Sequence, residues 1–191
     1  WRQMNKDFNA KIHFNIYYQT EGFNLSQMPD KFKGEWKDNA DWIRLTFHAL
    51  QNDPERPYIH TTYDEIKRDC QLVTDEIIRF AGEELLSTFT TVHWGEATKE
   101  GCRALRDLGF KGLVGYFKVV NERPLVSYYH DYDTIMHLNK RDYWKDTRED
   151  IIFVKHDMVV NAFKAQEIIP HLEKVAEDPH QSEIMELMIH E

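Results

Sequence analysis

Apolar residues first recur at helical spacing in Trp1, Met4 and Phe8, which read as the end of an amphipathic helix, so further chain is expected upstream. Residues 11–18 (KIHFNIYY) then alternate and are rich in Ile, Phe and Tyr, which predicts a strand. Gly22, Ser26 and Pro29 punctuate a loop, Phe32, Trp36 and Ala40 suggest a short helix, and residues 41–48 (DWIRLTFH) predict a second strand. Two prolines and an Asn-Asp pair mark residues 52–57 as a loop. Thr62 followed by Glu65 forms a capping box, and Ile66, Cys70, Val73, Ile77 and Phe80 then trace the clearest amphipathic helix in the chain, with Gly82 as its stop. A third strand is predicted at 85–92, ending in His93-Trp94-Gly95-Glu96, and a helix over 98–108 is closed by Gly109.

Residues 113–120 and 125–129 are two more strand-like runs, and 130–149 has no convincing period, so it reads as an excursion or a loop with one helical turn. Residues 151–154 (IIFV) are continuously apolar, as a strand buried on both faces should be, and lead into Lys155-His156-Asp157. A helix carrying Phe163, Ile169, Leu172 and Val175 follows, then Pro179 and a short helix with Ile184, Leu187 and Met188. Alternation of strand and helix predicts an α/β domain over 1–191 with a mostly parallel sheet, open or closed into a barrel. Working residues in such folds cluster past the carboxyl ends of strands, and three predicted strands end in or just before a histidine: His48, His93 and His156. His60 stands just ahead of the capped helix, so the stretch from His48 to His60 places two imidazoles around a strand-to-helix junction, where an α/β enzyme builds a metal site.

A chain of 191 residues is long enough to bury about 70% of its unfolded surface without staples. The net charge of -9, from 33 acidic and 24 basic residues with no basic run, argues against a nucleic-acid partner. No 18-residue apolar stretch and no signal-peptide pattern occurs, so nothing in these residues is expected to cross or target a membrane, and the compartment stays open. Cys70 and Cys102 both fall in helical segments without disulfide or zinc-ribbon spacing and read as buried small hydrophobes.

The order of these features resembles the polysaccharide deacetylase (NodB-like) family, also called carbohydrate esterase family four. His48 looks like the first histidine of the family's metal motif, and His60, directly before Thr61-Thr62-Tyr63-Asp64-Glu65-Ile66, looks like the second. NIYYQTEGF is similar to the family's Phe-rich strand and Gly loop, residues 91–96 sit where members carry a groove-lining Arg-Pro-Pro-Tyr-Gly stretch, and residues 151–157 resemble the late strand whose final His assists catalysis. The resemblance implies a distorted (β/α) barrel, incomplete at its N-terminus, and a divalent metal, most often zinc, held by one Asp and two His. Three departures stand out. Eleven residues separate His48 from His60, more than in the family; the groove stretch has lost its Arg and Pro residues; and the Asp-Asp pair that supplies base and ligand would precede Trp1.

For an amide hydrolase the metal would polarise the carbonyl and lower the pKa of bound water. In that reading His48 and His60 hold the metal, and His156 is the acid that protonates the leaving amine. His93 and Trp94 contact the carbohydrate substrate, Trp94 by stacking on a sugar face. The plainer alternatives are hydrogen-bonded core histidines and a packed tryptophan. Asp41 and Asp157 are conceivable substitute carboxylates. His13, His130, His137, His171, His180 and His190 read as solvated or structural, acidic residues 146–150 and 173–178 as solvated faces, and Tyr128, Tyr129, Tyr132, Tyr143 and Trp144 as either a carbohydrate wall or packing. The expected function is removal of an acyl group from an amino sugar or related amide. A carbohydrate-binding module without turnover and a glycoside hydrolase are the alternatives, the latter lacking a convincing carboxylate pair.

Overall fold

The computed structural model describes residues 1–125 and 127–189. In chain order the elements are α1 (Arg2–Phe8), β1 (Ile12–Tyr17), the hairpin β2 (Gln19–Thr20) and β3 (Phe23–Asn24), α2 (Lys33–Lys37), β4 (Ile43–Ala49), α3 (Tyr63–Phe80) and β5 (Phe89–Thr90). There follow α4 (Lys99–Asp107), β6 (Gly112–Gly115), the hairpin β7 (Lys118–Val120) and β8 (Arg123–Leu125), α5 (Tyr132–Leu138), β9 (Tyr143–Asp146), β10 (Ile151–Lys155), β11 (Met158–Val159), α6 (Ala165–Ala176) and β12 (Leu187–Met188).

Strand β1 runs parallel to β4, and β5, β6 and β10 are parallel to one another, with β9 antiparallel at the far edge. A parallel bridge from Leu45 to Leu86, the Ser87 N–H donating to Leu45 O at 3.1 Å, and the Thr90 hydroxyl donating to Phe47 O join the two groups. The array therefore runs β1-β4-β5-β6-β10-β9, and among the described residues no sheet closes on itself. Its carboxyl ends lie together, which is the feature that matters for the site.

The central helix forms as its pattern predicts. Thr62 caps α3 by accepting from Glu65 N, while the Glu65 carboxylate accepts from Thr62 N at 2.8 Å, and Ile66, Cys70, Val73, Ile77 and Phe80 are buried against the sheet. Thr62→Ala is expected to lower stability by about 1 kcal/mol, read by denaturant unfolding, because it leaves the Glu65 N–H in the first turn without its partner. Both cysteines are buried, and burial pushes the Cys70 thiol up to about 12, so it packs as a neutral hydrophobe.

Several predicted elements change. The strand expected at 85–92 shrinks to two residues because a 3-10 turn (Glu83–Leu85) takes its start. The run over 113–120 is broken by Phe117, whose φ of 46° turns the chain out into the β7-β8 hairpin. The patternless 130–149 stretch contains a two-turn helix and a strand, because Asp131 caps α5 by accepting from Thr134 N and β9 pairs with β10. Ile184, Leu187 and Met188 belong to no helix: this segment is extended and β12 pairs with β11.

Packing also settles the aromatic region and the acidic run. Phe153 is fully buried among Phe117, Tyr128, Tyr129, His130 and Trp144, with the His130 ring centroid 4.1 Å away. Tyr128, Tyr129 and Trp144 are thus core packing, whereas Tyr132 and Tyr143 are exposed. Glu149 is not solvated: it is buried, with Arg103 donating to both carboxylate oxygens at 2.7 and 2.8 Å and Lys99 at 2.8 Å, which ties α4 to the start of β10. His190 lies outside the described residues.

Candidate functional site

A cavity of about 540 Å³ opens at the carboxyl ends of the parallel strands. Its floor is His48 from β4, Thr91 and His93 after β5, Gly115 and Tyr116 at the end of β6, and His156 after β10. Trp94 and the loop residues Asn52, Asp53 and Glu55 stand at the mouth, and Val159 and Met188 form the remaining wall. Four of the five predicted site residues, His48, His93, Trp94 and His156, line this one cavity. His60 does not. It is exposed and lines another cavity, of about 290 Å³, that shares only Asp53 with the first. The insertion between His48 and the α3 cap carries His60 to that outer face.

His48 and His93 are 6% and 4% exposed, and their rings meet edge to face. The Nδ1 of His48 faces the Thr91 carbonyl, which only accepts, so that nitrogen carries the proton and Nε2 presents a lone pair. That Nε2 is 3.2 Å from Nδ1 of His93, and the Tyr17 hydroxyl is 2.8 Å from the same His93 nitrogen. Tyr17 reaches this point because the register of β1 against β4 shifts between Ile16 and Tyr17. Sequence reasoning missed Tyr17, although it is the last residue but one of the strand predicted over 11–18.

Neighbouring ligands of a tetrahedral metal at 2.0–2.1 Å are separated by about 3.3 Å. The His48–His93 nitrogen pair has that separation, and a backbone carbonyl orients His48 as it orients metal-holding imidazoles elsewhere. The same separation is that of a hydrogen bond, the His93 Nδ1–H donating to the His48 lone pair, so the pair can either bond to itself or offer two nitrogens to an ion, with the Tyr17 hydroxyl beside His93. Among the described residues no group of three or more His, Cys, Asp or Glu side chains could hold a metal, so the carboxylate expected from the resemblance has no counterpart there. Asp41 is at the opposite end of β4, and Asp157 is turned away to bind the chain near residue 186.

The segment carrying these groups is held firmly. Thr91 N donates to the Asn15 side chain at 3.2 Å, Val92 N to the Tyr128 hydroxyl at 3.3 Å, and Tyr128 N to Gly95 O at 2.8 Å. Trp94 sits within it at φ 65°, in the left-handed region, a strained conformation that turns its ring outward to 38% exposure. The Arg56 guanidinium lies 5.0 Å from the Trp94 ring centre and 3.3 Å from the Glu96 carboxylate.

His156, 4% exposed, sits across the cavity with Nε2 3.4 Å from the Thr91 hydroxyl. Its Nδ1 is buried without a hydrogen bond, and burial pushes the imidazole down to about 4, so it is neutral at pH 7. Among the described residues the cavity lining includes the Asp53 and Glu55 carboxylates and no lysine or arginine, and the Arg56 guanidinium lies against Trp94 of that lining. No protein-family model matches the chain, and no curated protein matches it.

Proposed function

We propose that the protein is a metal-dependent hydrolase that removes an acyl group from an amino sugar or related carbohydrate amide. The observation that carries this reading is the His48–His93 pair, its nitrogens 3.2 Å apart, facing one cavity with His156 at the ends of parallel strands. His93 takes the place that the sequence suggested for His60. A divalent metal, zinc first among candidates, would supply Lewis acidity and a water acidic enough to attack at neutral pH.

The chain's own residues do the rest. The Thr91 carbonyl fixes the tautomer of His48, and the Tyr17 hydroxyl stands 2.8 Å from His93 at the same locus. His156, neutral at rest, accepts a proton as water adds to the amide carbon and returns it to nitrogen as the carbon–nitrogen bond breaks, giving carboxylate and free amine. Trp94 offers an apolar face at the mouth for a sugar ring.

The direct test is acetate release from chitin oligomers by the metal-loaded protein. His156→Asn is expected to lower kcat by about 10²–10⁴-fold while metal content stays unchanged. The second reading, a carbohydrate-binding module without turnover, draws on the lack of a converging carboxylate among the described residues. Saturable oligosaccharide binding with neither stoichiometric metal nor acetate release would establish it instead.

A further inference from the structure

The end of the described chain contributes to the cavity lining through Met188. After α6 the backbone returns across β10 and is fastened there by buried carboxylates. The Asp142 carboxylate accepts from Glu183 N at 2.9 Å and Ile184 N at 3.2 Å, and Asp142 N donates to His180 O at 3.0 Å. The Asp157 carboxylate accepts from Glu186 N at 3.0 Å, while Asp157 N donates to Glu186 O at 2.9 Å. Pairing of β12 with β11 continues this clamp and brings Met188 into the cavity beside Val159 and His156. The segment is therefore docked at the site, although its exposed apolar residues Ile184, Met185 and Leu187 contribute little to any core.

This docking places one acidic side chain beside His156. The Glu186 carboxylate oxygen lies 3.8 Å from the otherwise unpartnered Nδ1 of His156. We propose that Glu186 is the positioning residue of His156, accepting its Nδ1–H so that Nε2 is the nitrogen offered to substrate, and steadying the imidazolium that forms when that nitrogen takes a proton. A change of about 1 Å in the Glu186 side chain converts the present separation into a hydrogen bond. The proposal rests on the hydrolase reading for the use of His156, but the contact itself does not.

The neighbouring charges leave this task to Glu186. Lys155 Nζ is engaged by the Gln181 side chain at 2.7 Å and by Asp157 at 3.3 Å. His171, from α6, has Nε2 3.1 Å from the Asp157 carbonyl. Asp142 and Asp157 are committed to backbone N–H groups of the returning segment, and Tyr116 lines the cavity on the β6 side. Burial and the nearby Asp157 push the Glu186 carboxyl up, so in acid it takes its proton before His156 does, and the pairing of a carboxylate with the ring belongs to neutral pH.

The experiment is a 15N NMR reading of the His156 ring tautomer at pH 7 in the full chain, assigned with His156→Asn. In the intact protein Nδ1 is expected to carry the proton, and Glu186→Ala, which removes the acceptor, is expected to shift the ring toward the Nε2–H tautomer. Glu183→Ala, a change on the same segment away from the ring, should leave the tautomer in place. A ring that carries its proton on Nε2 in the intact protein, or whose tautomer is the same in Glu186→Ala, overturns the assignment. In active protein Glu186→Ala should lower kcat while KM stays nearly constant. A tautomer change in a protein that releases no acetate would keep the Glu186–His156 coupling and remove the hydrolase reading, so the two failures are distinguishable.

Discussion

On the proposed metal-dependent reading, zinc content is expected to fall from stoichiometric to near zero in His93→Ala and in His48→Ala, and to stay stoichiometric in His60→Ala. His48 Nε2 and His93 Nδ1 lie 3.2 Å apart and both residues line the cavity, whereas His60 is exposed and lines another. Acetate release should fall in parallel, by more than the roughly 10–100-fold that losing an outer-shell partner of a ligand costs. Tyr17→Phe removes only the hydroxyl beside His93 and is expected to weaken metal affinity within that smaller range. The measurement is elemental analysis of dialysed protein beside the acetate assay. Metal that persists in His93→Ala but is lost in His60→Ala would return the site to the junction suggested by the sequence and refute the pair described above.

The second large effect is on acid stability. Burial pushes His13, His130 and His156 each down to about 4 from the ordinary 6.5. Between those values the unfolded chain binds more protons than the folded one, so stability rises with pH across the window. The folded state holds its full advantage above about pH 6.5 and loses it progressively as the pH falls through 4. Each histidine contributes a slope of about 1.4 kcal/mol per pH unit at most, so the three together approach about 4 kcal/mol per unit near pH 5. Asp157 and Glu186, whose carboxyls burial pushes up, oppose this in part.

Against the 5–15 kcal/mol of a typical domain, such a slope should bring acid unfolding into the range of about pH 4–5. His130→Phe offers the sharpest check. The ring sits among Phe117, Tyr129, Trp144 and Phe153 with Nε2 buried and unbonded, so an apolar ring removes one titrating group from an aromatic cage. Denaturant unfolding at pH 7, 6 and 5 should show a shallower pH dependence in that variant. An unchanged slope would mean that His130 does not titrate with unfolding.

What could be read from residues alone was whatever near neighbours encode. The capping box at Thr62 and Glu65, the five-residue apolar face of α3, the left-handed Gly109 after α4 and the buried run of β10 all depend on contacts within a few positions, and each was legible. The principle that chemistry collects at strand ends was enough to select His48, His93 and His156. Short strands were misjudged because their length is set by partners: β5 keeps two residues where β6 meets it, and β12 is extended because β11 and two buried aspartates hold it so.

Pairing of site residues lay further out of reach. Sequence proximity favoured His48 with His60, but partners in a parallel array come from adjacent strands that the chain visits at intervals of tens of residues. Parallel order and register place His93 against His48, a shift at the end of β1 adds Tyr17, and the returning C-terminal segment adds Glu186. The sequence by itself determined which elements form and that histidines stand at their ends. Which of those histidines face one another was decided only by the tertiary structure, because the distance between two strand ends is a property of the sheet and of neither strand.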